Sequence, residues 1–303
     1  MTTYNNPRLI TPPKEEEEIY PYRQAWRSIF VESGIVMVVM LVIFVLNNLI
    51  GLAVPDQIRL YSNLLLAISP AILWLIFSRL PENNAVEPRR RLLTTFTVTG
   101  LVANAVGIPL VNTVFEPNVW LPLQSNLNRI LGYMLTIGIL QEFLKYLVLR
   151  YIVWPDYYRI RTDAVAYGAA TAVAYATVLN LHYVLANPMA ASDVMIMRVF
   201  AILSIQLVGS LMVGFGLSET LFSDALSFLL PAMIVLAALL SGIAITLRST
   251  FLNATLGLTI SSQREIFGLL FSLVFYVISL ATFFFLFNVT DKREQDKIIG
   301  QEI

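Results

Sequence analysis

Cysteine is missing altogether and histidine occurs once, as His182. The first absence removes disulfides, thiolate nucleophiles, iron–sulfur clusters and Cys-ligated zinc, and the second removes any His-rich metal site. Charge is scarce as well: Asp, Glu, Lys and Arg make up 13% of 303 residues, against roughly 25% in soluble domains. Twenty acidic and twenty basic residues, most of them in tails and short connections, are too few to cover a water-soluble surface for this length of chain. The formal net charge is zero and the basic residues form no dense stripe, so nucleic acid is not an expected partner. The sequence also lacks a Gly-rich phosphate loop, a Walker sequence, HExxH and a Gly-x-Ser-x-Gly elbow. No internal repeat of the kind that marks many transporters is visible.

What is present is apolar. Hydrophobic residues make up 57% of the chain and the mean hydropathy is +0.72. Long apolar runs fall near 29–54, 61–79, 92–115, 127–153, 163–186, 196–217, 225–247 and 265–290, and most of them reach the ~20 residues that a spanning helix needs. They predict an all-α, polytopic transmembrane bundle of about eight helices. Residues 1–28, with Pro12, Pro13, Pro21 and the acidic run Glu15 to Glu18, read as a polar tail and not as a signal peptide. Residues 29–290 form a single transmembrane domain in this reading, and 291–303 a second polar tail, both tails being solvated. The link from Arg248 to Arg264 has room for a short interfacial or re-entrant piece.

Lys and Arg set an expected orientation, because cytoplasmic loops carry the excess. Fourteen of the twenty fall in one set, comprising the two tails and the connections around Arg79 to Arg91 and Arg150 to Arg161. Five fall in the other, namely Arg59, Arg129, Arg198, Arg248 and Arg264, and Lys145 lies inside a helix. Both termini are therefore expected in the cytoplasm, as an even helix count requires. No connection is long enough for a soluble catalytic domain, which confines function to the helices.

Polar side chains at bilayer depth are costly, from about 2.5 kcal/mol upward for a charge, so each invites a functional reading. In the fourth helix Glu142 and Lys145 lie three residues apart, about 16 Å from the basic-loop end at ~1.5 Å per residue. One can neutralise the other there, and a purely structural ion pair is an equal reading. The fifth helix carries Ala164, Gly168, Ala172 and Ala176, a small-residue stripe for close helix approach whose next member is Asn180. In the sixth, Gln206, Ser210 and Gly214 share a face, with Gly209 and Gly216 as further close-approach sites. His182, about 200° round the helix from Asn180, is expected at the interface or in packing. Glu32 is expected to snorkel towards headgroups, Asn47, Asn48, Asn104 and Asn112 to link helices, and Pro70, Pro109 and Pro231 to kink them.

The order of these motifs resembles the PrsW family of intramembrane proteases, which is related to CAAX-processing membrane proteases. That family carries Glu-Glu-x-x-Lys, then Phe-x-x-x-Glu-Asn, then a His with Gly eight residues later. The matching stretches here are Gln141-Glu142-Phe143-Leu144-Lys145, Tyr175 to Asn180, and Gln206 to Gly214. Asp163 to Ala170 is similar to the family's Asp-Gly-x-x-Tyr-Gly-x-Ala. The likeness spans roughly 137–216, inside a core of about 127–217.

The resemblance implies peptide-bond cleavage in the membrane, with glutamates and a His activating water or holding a metal and an Asn steadying the oxyanion. Glu142, Lys145 and Asn180 are kept. Gln141 replaces the first Glu, Leu179 the motif Glu and Gln206 the His. A Gln is neither a general base nor a strong metal ligand, and a Leu is neither at all. The reading is therefore a degenerate site of Glu142, Lys145, Asn180 and Gln206 with no cofactor and no divalent metal. Proteolysis is then lost or impaired, and the cavity between helices four, five and six binds a membrane lipid or another integral membrane protein. An active protease using Glu142 as general base, with Asn180 and Gln206 as oxyanion donors, is the alternative, followed by a transporter or accessory subunit. The family further implies the plasma membrane of a prokaryote.

Overall fold

A computed structural model describes residues 25–52, 54–85, 87–223, 228–253 and 261–299. The polar N-terminal segment before Ala25 and the middle of the Arg248–Arg264 link lie outside the described residues. Six spans run α1 Ala25–Asn48, α2 Asp56–Asn84, α3 Leu92–Trp120, α4 Asn126–Ile152, α5 Arg161–Ala186 and α6 Ser192–Phe222. They are followed by α7 Leu229–Asn253 and α8 Ser261–Ile299. All eight are long and apolar enough to cross a membrane, and no strand occurs among the described residues. Helix α8 runs on past residue 290, so the backbone of the expected polar C-terminal segment is helical as far as Ile299.

Helices are the natural outcome because lipid offers backbone amides no partner, and a helix satisfies them internally. Which helix lies inside follows from composition in an inverted way. The most apolar stretch of α5 has a mean hydropathy of 1.4 and is 83% buried, whereas that of α1 reaches 2.8 and is 28% buried. Lipid-facing side chains must be apolar, while a helix wrapped in protein needs only small, close-fitting ones. Alanine and glycine let α5 approach α6. A methyl group at Gly168 would lie 3.1 Å from Ser210 O, and one at Gly214 2.8 Å from Ala164 O. Thr171 Oγ1 donates to Ser210 Oγ at 3.2 Å between them. The two small-residue stripes expected from sequence thus pack on each other, making α5 and α6 the central antiparallel hairpin.

The hairpin is held at its open end by buried ion pairs. Arg89, from the α2–α3 connection, reaches Glu82 at 2.8 Å and Asp163 at 2.7 Å, with all three side chains fully buried. Asp163 stands in the first turn of α5, where a carboxylate suits the helix dipole, and accepts the backbone N–H groups of Arg159 and Ile160 at 2.9 and 3.2 Å. Arg161 pairs with Glu219 at 2.9 Å, tying the start of α5 to the end of α6. Beside them burial, then Tyr167 and Asp163, hold the Tyr158 phenol well above its ordinary range, so it stays neutral.

Glu32 does not snorkel: it is 6% exposed and accepts a hydrogen bond from Ser78 of α2. The reason is its face, since Ile29, Ser33, Val36 and Met40 are buried on the same side of α1. Asn48 and Asn104 do link helices, to Asp193 at 3.1 Å and to His182 at 2.7 Å. Pro70 lies within α2, and Pro109 lies between two widened turns of α3, Ala103–Gly107 and Leu110–Phe115. Widened turns absorb the backbone disruption that proline causes.

Candidate functional site

Helix α4 reaches its motif through another widened turn, Met134–Gly138, which ends where Gly138 abuts α7. A Cβ at Gly138 would lie 2.6 Å from Ala238 O, and one at Gly242 of α7 2.5 Å from Ile130 O, so the two backbones touch. This contact leaves Gln141, Glu142 and Lys145 buried. Lys145 Nζ lies 2.8 Å from Glu142 Oε1 and donates to Gln206 O at 3.3 Å. Gln206 Nε2 donates in turn to Gln141 Oε1 at 2.6 Å. The Glu142 carboxylate rests on the Cα of Gly209, where a Cβ would stand 2.7 Å from Oε2 and closer still to Oε1. Glycine is required at 209 because a carboxylate occupies the place of its side chain.

Gln141, Glu142, Lys145 and Gln206 therefore form one buried cluster between α4 and α6, as their motif order implies. Glu142 Oε2, Gln206 Oε1 and the Tyr175 hydroxyl have no hydrogen-bond partner among the described residues. Tyr175, at the motif's aromatic position, lies against Gly107 of α3 and within electrostatic range of Glu142.

Asn180 makes no hydrogen bond to this cluster. It is fully buried, and neither amide atom has a hydrogen-bond partner among the described residues. The register explains why. Ala164 meets Gly214 and Gly168 meets Ser210; continued in four-residue steps, that pairing brings Ala172 opposite Gln206 and Asn180 opposite Arg198. Asn180 thus lies two helical turns, about 12 Å, from the level of Gln206.

Near that level the helices border a half-open cavity of about 270 Å³. Its lining includes Asn112 and Asn118 of α3, Gln141 of α4, Leu179 and His182 of α5, and Arg198 of α6. Helix α3 adds a wall that sequence reasoning had not included. Two positions where the resembled motifs carry glutamates, Gln141 and Leu179, face this space, whereas Glu142 is turned into Lys145 and Gly209. His182 is exposed towards the cavity and bound to Asn104. Arg198 was legible only as a topological charge. Its six-residue distance into an otherwise apolar helix is the signal that could have drawn attention to it.

The donor set bears directly on a metal. A catalytic zinc takes three protein ligands from His, Glu, Asp or Cys. Here the cluster offers one carboxylate, engaged by an ammonium, together with neutral amides, and no group of three or more such ligands occurs among the described residues. These residues do not fit the ion.

Eight spanning helices around a buried polar motif cluster define a polytopic membrane protein of intramembrane-protease architecture. Residues 87–285 match the PrsW family of intramembrane metalloproteases, and the chain belongs to that family. No curated protein and no solved structure matches it significantly.

Proposed function

We propose that this PrsW-family protein has lost, or nearly lost, metal-dependent proteolysis and uses the cavity among α3, α4, α5 and α6 to bind a membrane lipid or another integral membrane protein. The observation that carries this reading is the disposition of Glu142. Activating water requires a carboxylate with a free lone pair facing the substrate. Glu142 is fully buried, paired to Lys145 at 2.8 Å and packed on Gly209, while the cavity is faced by Gln141 and Leu179. The Gln206 amide already donates to Gln141, and Asn180 makes no hydrogen bond to the cluster, which disfavours them as a pair of oxyanion donors around Glu142. The distribution of Lys and Arg supports cytoplasmic termini, and the family supports a prokaryotic plasma membrane.

Purified full-length protein in nanodiscs, incubated with single-spanning reporter substrates, tests the proposal. The expected result is no cleavage, unchanged by added Zn²⁺ or by a chelator. Cleavage that disappears in Glu142→Gln would overturn it and assign Glu142 as the base. Proton-coupled flux lost in the same variant would instead favour a transporter.

A further inference from the structure

The cavity's chemistry specifies its occupant more closely than membrane lipid or protein. At about 270 Å³ it lies just below the usual range of ligand pockets, roughly 300–1,000 Å³. That is the scale of a headgroup and far too small for a helix.

The formal charge in its lining is positive. Arg198 is the only Asp, Glu, Lys or Arg among the lining residues, which otherwise supply amides from Asn112, Asn118, Gln141 and Asn187 and the His182 ring. The Arg198 guanidinium stacks 4.1 Å from the centre of the Tyr183 ring, its Nε has no hydrogen-bond partner, and no carboxylate pairs with it among the described residues. Arg248 of α7 stands within electrostatic range and adds a second positive charge. A cation left unpaired at this depth is costly unless an anion joins it.

Location narrows the source of that anion. Arg198 is six residues beyond the start of α6, about 9 Å into the helix, and Asn118 and Asn187 lie at the ends of α3 and α5. The cavity therefore begins where headgroups lie and runs inward. Its α3 wall continues into exposed Val106, Val114 and Phe115, a surface for acyl chains. A choline or ethanolamine headgroup would need a carboxylate or a free aromatic face for its cation; the lining has no carboxylate, and Arg198 already covers Tyr183.

We propose that this cavity is a headgroup site for an anionic phospholipid, whose phosphodiester is held by Arg198 and the surrounding amides. The proposal rests on the cavity-binding reading above and names its ligand class. Full-length protein in phosphatidylcholine nanodiscs containing a minority of phosphatidylglycerol is released and its retained lipids are counted by native mass spectrometry. Wild type is expected to retain phosphatidylglycerol at least about tenfold over phosphatidylcholine, and Arg198→Gln to lose about tenfold, the size of one charge-assisted contact. Arg198→Gln removes an unpaired cation, so folding is expected to survive. Asn112→Asp, which keeps Arg198 but adds a negative charge to the lining of the same cavity, is expected to show the same loss. Equal retention in wild type and both variants would overturn the proposal. A separate arm adds inorganic phosphate to the phosphatidylglycerol-containing nanodiscs: complete loss of the retained phosphatidylglycerol to phosphate would assign the site to a free anion and overturn the lipid. Cleavage in the protease assay would remove the non-catalytic reading without altering this measurement, so the two fail separately.

Discussion

Gly209→Ala is the sharpest perturbation of the motif cluster, because one methyl group is forced into the space of a buried carboxylate. The new Cβ would lie 2.5 Å from Glu142 Cδ and 2.7 Å from Oε2, about 1 Å inside the ordinary contact distance of roughly 3.5 Å. The carboxylate has little freedom to rotate aside, since Lys145 Nζ holds it at 2.8 Å and both side chains are buried. Either α4 and α6 part or the ion pair stretches. Overpacking of this kind costs about 1–3 kcal/mol, and the helix preference for Ala over Gly returns up to about 1 kcal/mol, leaving a net loss of up to about 2 kcal/mol, to be read against a gain where no such clash exists. Gly34 provides the control: nothing lies within 4 Å of a Cβ there, so Gly34→Ala should be neutral or slightly stabilising. Unfolding of both variants in mixed micelles, titrated with SDS, reads the difference. The reasoning is refuted if Gly209→Ala is as stable as Gly34→Ala. It also fails if the loss persists unchanged when Glu142→Ala and Lys145→Met are combined with it, because backbone approach alone would then account for the glycine.

The same titration checks three further expectations. Glu142→Ala alone should cost about 3–5 kcal/mol by leaving a buried ammonium uncompensated, and adding Lys145→Met should recover most of that; equal losses would mean that the pair contributes nothing. Gly138→Ala, which meets the Ala238 carbonyl oxygen at 2.6 Å, should destabilise by at least about 1 kcal/mol more than Gly132→Ala, which meets the movable Leu121 side chain. Arg89→Gln should cost about 3–5 kcal/mol, because Glu82 and Asp163 both lose a fully buried partner; a loss below about 1 kcal/mol would show the network to be solvated. Orientation is read separately, since the chain has no cysteine of its own. Met189→Cys should react with a membrane-impermeant maleimide added outside cells and Asp156→Cys should not, and the reverse pattern would invert the topology.

Helix number and the cluster around Glu142 were legible because each rests on a local property: runs of apolar residues, or polar residues that share a helix face. Glu32 misled for the complementary reason. Its nearness to a helix end suggested headgroups, but burial is decided by the face it shares with Ile29, Ser33 and Val36. The role of Gly209 could not be read from glycine spacing alone, since the atom filling its missing side chain comes from another helix. Asn180 is the instructive case. It was read as a companion of Glu142 and Gln206, yet a short antiparallel hairpin pairs residues that are equally far from its loop. Asn180 lies six residues before the end of α5 and Arg198 six after the start of α6, which sets the two at about the same level of the hairpin. The polar atoms consequently divide into an inner ion-paired cluster and a level near the helix ends that carries Arg198 and the cavity. Gln141 touches both, accepting from Gln206 on one side and lining the cavity on the other. A carboxylate at position 141 would add a negative charge to the cavity that Arg198 also lines. A neutral amide at 141 leaves Arg198 as the one formal charge among the residues lining that cavity, the balance on which the proposed anionic ligand depends.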